Sequence, residues 1–232
     1  MVAHRSGDGA APAVSAPHPP ALREPISRAI LVFVRAPVIG RVKTRLAAEL
    51  GPAAALRVYR RLAEHAVAEA LALAGEGVEV RVHFTPSDAR EEVEAWLGDG
   101  PVYLAQAPSP ELGERMRTAF GDAFAAGHDR VLIIGSDLPE VSRDALGRAL
   151  RLLDAHEAVI GPAADGGYWL LGLRAPVPGV FEGIAWSTDE VFARTMERLR
   201  AAGIEPARME ALRDVDTAAD LPAGWREWTV EG

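Results

Sequence analysis

Chemistry in this chain is expected where charged residues follow apolar runs. The clearest such point is Arg130 to Pro139, in which Val131, Leu132, Ile133 and Ile134 lead into Gly135, Ser136 and Asp137, and Pro139 stops a strand from continuing. An unbroken aliphatic, β-branched run suits a strand covered on both faces of a parallel sheet. Asp137 would then sit at the carboxyl edge of that strand, where open α/β sheets bind ligands. There it either holds a metal or polar substrate group, or accepts backbone hydrogen bonds in the turn before the next helix. An earlier apolar run, Ala29 to Val34, is followed by Arg35, Lys43 and Arg45 in a loop broken by Pro37 and Gly40. If both strands run parallel, these cations share one sheet edge with Asp137. Carboxylates and cations converging at one edge are what Mg²⁺ or Mn²⁺ with a diphosphate requires. Lys43 and Arg45 could instead open a helix, but cations at a helix start oppose its dipole. Phosphate binding by Lys43 and Arg45 is therefore the favoured expectation.

Two further acidic clusters fall in predicted loops. Asp165-Gly166-Gly167 reads as a hairpin turn, and its two glycines would also let a backbone approach a ligand closely. Asp214-Val215-Asp216-Thr217 supplies carboxylates, or equally a helix cap from Asp216 or Thr217 ahead of Ala218 to Leu221. The histidines do not cluster; surface positions are expected for them, and only His83, near a strand end, invites a test. No Ser-His-Asp spacing, P-loop or Gly-x-Gly-x-x-Gly run is present.

The elements that must position these residues alternate. Strands are predicted over Ala29–Val34, Val78–Phe84, Val102–Ala105, Val131–Ile134, Ala158–Gly161 and Tyr168–Leu173, and the chain closes with Ile204 to Met209 and Leu212 to Thr217. Helices are predicted from Pro52 to Leu73, to Leu97 after a Ser87 or Asp88 cap, over Met116–Ala126, from a Ser142 cap to Asp154, and from a Ser187 or Thr188 cap to Gly203. The stripe Leu56 to Leu73, which includes Tyr59, reads as core. Such alternation predicts right-handed crossovers and an α/β three-layer sandwich with a mostly parallel central sheet.

Composition narrows the function classes. The chain has 232 residues, 49% hydrophobic and 25% charged, an ordinary globular balance. Its 33 acidic against 25 basic residues, a net charge of -8, argue against broad nucleic-acid binding. The absence of cysteine excludes disulfides, thiolate metal sites and a Cys nucleophile, and fits a cytoplasmic setting. No apolar run predicts membrane insertion. Residues 1–27, rich in Ala, Pro, Ser and Gly, read as a disordered leader, and 28–232 as one domain.

Taken in order, Phe33 to Pro37, Gly40 to Leu46, Leu112-Gly113-Glu114-Arg115-Met116, Gly135 to Pro139, Gly161-Pro162 with Asp165 to Tyr168, Trp186-Ser187-Thr188 and Arg213 to Thr217 form an ordered set. This set resembles a bacterial glycosyltransferase-like family associated with arsenosugar biosynthesis, within the nucleotide-diphospho-sugar transferase (GT-A) superfamily. The resemblance runs from Ala29 to Leu221 and implies a GT-A, Rossmann-like fold with a divalent metal at Asp137. Gly135 stands where the first acid of the usual Asp-x-Asp would be. More distantly the chain is similar to phospholactate guanylyltransferase and the hexose-phosphate uridylyltransferases. That similarity implies phosphate binding by Lys43 and Arg45 together with Arg35, base recognition by Gln106 and Gly113, and a second metal ligand at Asp216. Ser109 and Pro110 replace a Gly-rich segment of the relatives and stiffen the base-side loop.

The expectation that follows is a metal-dependent glycosyltransferase using a nucleotide sugar and a small-molecule acceptor. Asp137, Asp165 and Lys43 would be catalytic, and Gly166, Gly167 and Trp186 would lie by the sugar or acceptor. The alternatives are a nucleotidyltransferase joining a nucleoside triphosphate to a phosphorylated small molecule, and an inactive nucleotide-binding protein.

Overall fold

The computed structural model describes Met1 and residues 27–229, so all but the ends of the expected leader lie outside the described residues. Seven strands form one sheet: β1 (Arg28–Arg35), β2 (Val78–Thr85), β3 (Val102–Ala105), β4 (Arg130–Ile134), β5 (Ala158–Pro162), β6 (Tyr168–Leu173) and β7 (Ala207–Arg208). Their spatial order is β3-β2-β1-β4-β6-β5-β7. Strands β1, β2, β3 and β4 pair in parallel, as do β5 and β7, while β6 runs antiparallel between β4 and β5. The reversal follows from the short Pro162–Gly167 connection, which leaves room for a hairpin but not for the helix that a parallel crossover needs.

Helices cover both faces. On one face α2 (Pro52–Leu71), α3 (Arg90–Leu97) and α5 (Arg143–Leu152) pack with Ile30, Val32, Val80, Val82, Leu132 and Ile134. On the other, α4 (Leu112–Ala125) and α6 (Val191–Ala201) cover Ala29, Leu31, Val131, Ile133 and Leu171. Central strands enclosed in this way lose polar alternation: β4 is buried at every position, and in β2 both Arg81 and His83 are buried despite their alternation with valines. His128, expected at the surface, is also buried, between Ser27, Arg81 and Glu79.

Several boundaries differ from the sequence expectation. A short helix, α1 (Thr44–Leu50), follows Lys43 where a loop was expected, because Leu46 docks into a separate apolar cluster with Val58, Leu62 and Val215. Helix α4 starts at Leu112, four residues early. Helix α3 is preceded by Ala89 and α6 by Glu190, neither giving a side-chain cap, whereas Ser142 does cap α5 by accepting from the Ala145 N–H. Among the described residues no helix is long and apolar enough to cross a membrane.

Candidate active site

The carboxyl ends of β1 to β5 and the start of β6 lie on one edge, where the predicted charges meet. Lys43 caps α1 in the left-handed conformation (φ 46, ψ 52), which turns its side chain off the helix axis and towards the sheet. Its ammonium donates to Asp137 Oδ2 at 2.9 Å and to Asp216 Oδ1 at 3.3 Å. Arg45 Nη1 reaches Asp216 Oδ2 at 3.3 Å. Asp216 is drawn in by backbone bonds: the Val215 N–H donates to the Asp137 carbonyl at 3.1 Å, and Val215 is fully buried. The Asp220 carboxylate accepts from the N–H groups of Asp216 and Thr217, and Thr217 caps the short 3₁₀ helix that follows. Thr217 thus takes the cap role, and Asp216 keeps its carboxylate for Lys43 and Arg45.

Burial is the largest influence on Lys43 and lowers its pKa. The attraction and hydrogen bonds of Asp137, then of Asp216, together outweigh it and leave the pKa raised, so the ammonium stays charged. Under this pair, the Tyr59 hydroxyl donates to the Arg35 carbonyl at 2.8 Å and accepts from the Arg35 N–H at 2.7 Å. Tyr59 therefore anchors the end of β1, a role that its place in an apolar helix stripe conceals; a buried phenol's need for a partner is the signal.

One crevice runs across this edge in two halves. The first, about 540 Å³, is lined by Arg35, Arg41, Lys43, Arg45 and Arg115, with Asp137 and Asp216 at its inner end. The second, about 600 Å³, is lined by Asp137, Asp165, Asp189, Asp214 and Asp216 and by the rings of Phe33, Tyr168, Trp169 and Trp186, with Arg45 its lone cation among the described residues. Asp137, Asp216 and Arg45 border both. Asp214 is half-buried; burial first, then Asp137 and Asp165, push its pKa up.

The remaining predicted residues fall as follows. Asp165 is exposed at the rim of the second half, and its Oδ1 accepts from the Gly167 N–H at 2.9 Å in the β5–β6 turn. Gly166 (φ +89) is packed so tightly that a Cβ there would lie 2.3 Å from the Asp189 carbonyl oxygen. Gln106 is buried at the floor of the first half. Its amide donates to the carbonyls of His83 (2.8 Å) and Val34 (3.2 Å), and its oxygen accepts from Arg115 at 3.1 Å. Gly113 faces the Trp186 indole, whose Cζ2 would be 2.6 Å from an added Cβ, so its surface is spent on packing. Gln106 and Gly113 thus do not form one surface. Gly135 accommodates the Asp137 carboxylate, with Oδ1 2.9 Å from where a Cβ would be.

Among the described residues no group of three or more acidic or histidine side chains is arranged to hold a metal by itself. Asp137 and Asp216 nonetheless converge on one cation, and Mg²⁺ or Mn²⁺ commonly takes one or two carboxylates and completes its shell with water and substrate phosphates. The pair fits such a shared site, which Asp137 and Asp216 would hold from the protein side.

The mostly parallel α/β sheet and its loaded edge give the chain the fold of the nucleotide-diphospho-sugar transferase superfamily. It belongs to the family described as "Uncharacterized protein conserved in bacteria (DUF2064)", whose model matches residues 67–188, a span with Asp137 and Arg115 but without Lys43 and Asp216. A crystal structure from Desulfovibrio desulfuricans G20, of a protein proposed to be a nucleotide-diphospho-sugar transferase, superposes with TM-score 0.76 at 37% identity, covering 83% of each chain. The inositol-1-phosphate CTP transferase of T. maritima superposes with TM-score 0.53 at 13% identity, over 88% of this chain and 96% of that one. Glucosyl-3-phosphoglycerate synthase from Mycobacterium tuberculosis, solved with Mn²⁺, UDP and its product, gives TM-score 0.53 at 12% identity, over 84% and 74%. The last two share the fold. No curated protein matches the sequence.

Proposed function

We propose that the protein is a metal-dependent glycosyltransferase that moves a sugar from a nucleotide-sugar donor to a hydroxyl of a small, uncharged acceptor. The observation that carries this reading is the division of one crevice into a cationic half and a carboxylate-and-aromatic half, which meet at Asp137, Asp216 and Arg45. Cations suit the diphosphate of a donor. Carboxylates repel a phosphorylated acceptor, whereas aromatic faces and carboxylate acceptors suit a sugar ring and its hydroxyls.

Lys43 and Arg45 hold phosphate oxygens and counter the charge that grows on the leaving diphosphate, with Arg35 at the end of β1 lining the same half. A divalent ion, when bound by Asp137 and Asp216, supplies further Lewis-acid neutralisation of that charge. Asp165, exposed at the rim of the acceptor half, orients or deprotonates the acceptor hydroxyl. Gly166, Gly167 and Trp186 shape the wall around it.

One observation favours a second reading, nucleotidyl transfer: five cationic side chains line the phosphate half, enough to balance a triphosphate. A phosphate nucleophile needs no general base, so Asp165 would then act in positioning alone. To separate the two, the protein is incubated with Mn²⁺, candidate acceptors and panels of nucleotide sugars and nucleoside triphosphates. Nucleoside diphosphate release that depends on an unphosphorylated acceptor is the expected result. Pyrophosphate release that depends on a sugar phosphate overturns the glycosyl reading in favour of the nucleotidyl one.

A further inference from the structure

Arg115 presents a physical problem that packing does not solve. It lies in the first turn of α4, where a helix dipole disfavours a cation. Its guanidinium is half-buried at the wall of the cationic half, and among the described residues no carboxylate forms an ion pair with it. Nη1 donates to Gln106 Oε1 at 3.1 Å and Nη2 to the Pro110 carbonyl at a weak 3.4 Å, while Nε is buried without a partner. Burial, and then the proximity of Arg35, lower its pKa; the Glu111 carboxylate at the helix start opposes them and is outweighed. Arg115 could have swung into solvent, as Arg45 does with its side chain 77% exposed. Gln106 holds it inward: its amide nitrogen is fixed by the carbonyls of Val34 and His83, which aims its oxygen at Arg115 Nη1.

A half-buried cation beside another cation, with an N–H left unpaired and its rotamer held by a dedicated amide, is a group prepared for an anion. We infer that Arg115, with Arg35 at the end of β1, binds a phosphate oxygen of the ligand in the cationic half of the cleft, in addition to the contacts of Lys43 and Arg45. Gln106 is the positioning residue that aims Arg115; its own amide is fully engaged and reads no base. This rests on the proposed function in taking the ligand of the cationic half to be a nucleotide phosphate. It adds a second phosphate-binding pair and reassigns Gln106.

The test uses the full-length protein with inorganic pyrophosphate and Mg²⁺ as one probe and uridine as another, in titration calorimetry. Loss of one charge-assisted contact is worth about tenfold or more in affinity. Arg115→Gln should weaken pyrophosphate binding by about tenfold or more. Arg115→Lys, which keeps charge but loses the planar fork, should fall between it and the wild type. Gln106→Leu should weaken pyrophosphate binding several-fold without removing it. Uridine affinity should not change. Pyrophosphate binding within about twofold of wild type in Arg115→Gln overturns the inference, as does a loss confined to uridine, which would make Arg115 a base-reading group. If Lys43→Gln loses pyrophosphate while Arg115→Gln does not, the inference fails and the proposed function stands. If the wild type binds no pyrophosphate, both fail. Should Arg115→Gln not fold, by circular dichroism, Arg115→Lys carries the same comparison.

Discussion

The ammonium of Lys43 lies 2.9 Å from the carboxylate of Asp137, a contact across 94 residues of chain that also draws in Asp216 from 173 residues away. The lysine sits at the point where two carboxylates converge, which is where a divalent ion would bind. Lysine and metal therefore compete for one place unless phosphate draws the ammonium away. Lys43→Met should bind Mn²⁺ alone more tightly than the wild type, read from the free-Mn²⁺ signal in electron paramagnetic resonance. Its turnover should nonetheless fall by about 10²-fold or more through loss of a phosphate-stabilising charge. Weaker or unchanged Mn²⁺ retention would show that the ammonium does not occupy the metal's place.

Asp137→Asn leaves the backbone bond to Val215 intact and removes one charge from that cluster. The variant should fold with near-native melting temperature and lose metal-dependent nucleotide affinity. Nucleotide affinity equal to wild type in the presence of Mn²⁺ would remove Asp137 from the site.

Gly113 and Trp186 offer a packing test. An alanine Cβ at Gly113 would lie 2.6 Å from Cζ2 of the indole, so the ring has to leave its seat. Overpacking of this kind costs about 1–3 kcal/mol. Gly113→Ala should lower the denaturation midpoint accordingly and shift tryptophan emission; an unaltered spectrum would mean that the ring is not held there.

The turn bearing Asp165 depends on Gly166. At φ +89 and with the Asp189 backbone in contact, Gly166→Ala adds a clash to about 1–3 kcal/mol of strain. It should be more destabilising than Gly113→Ala, because backbone cannot rotate aside as an indole can. Equal or smaller loss in chemical denaturation would contradict the packing described.

His83 sets a pH dependence. Burial, and then Arg81, lower its pKa from 6.5 to about 4, and it stacks on Phe33 at 5.5 Å. Below pH 6.5 the unfolded chain takes up a proton that the folded chain refuses until about pH 4, so stability falls as pH falls through that window. Between pH 7 and 5 this amounts to about 2 kcal/mol. His83→Leu should flatten urea-denaturation stability over that range; a slope equal to wild type would mean that His83 is protonated in the folded state.

Much of this was legible in the chain because it is written in local terms. Val131 to Ile134, with no polar alternation, announced a doubly covered strand, and Gly135 to Pro139 announced its end. Pro52 and the apolar stripe behind it marked α2. The cations at Lys43 and Arg45, awkward for a helix start, pointed to an anion or a carboxylate partner. Arg115 precedes the helix start that the sequence predicts at Met116, so the same signal shows only once α4 is seen to begin at Leu112. His128 was misplaced because a lone histidine after a Gly carries no periodicity from which burial can be read.

By itself, then, the sequence determined the six longer strands, the five longer helices and which charges stand at strand ends, since hydrophobic period and turn chemistry act over a few residues. Only the tertiary structure decided the partners. Asp216 joins Asp137 through a backbone bond from Val215, Gln106 turns inward to hold Arg115, and β6 runs against its neighbours. Those outcomes depend on where distant segments lie in space. Pairing across 94 or 173 residues is set by the packing of the whole sheet, which no local pattern encodes.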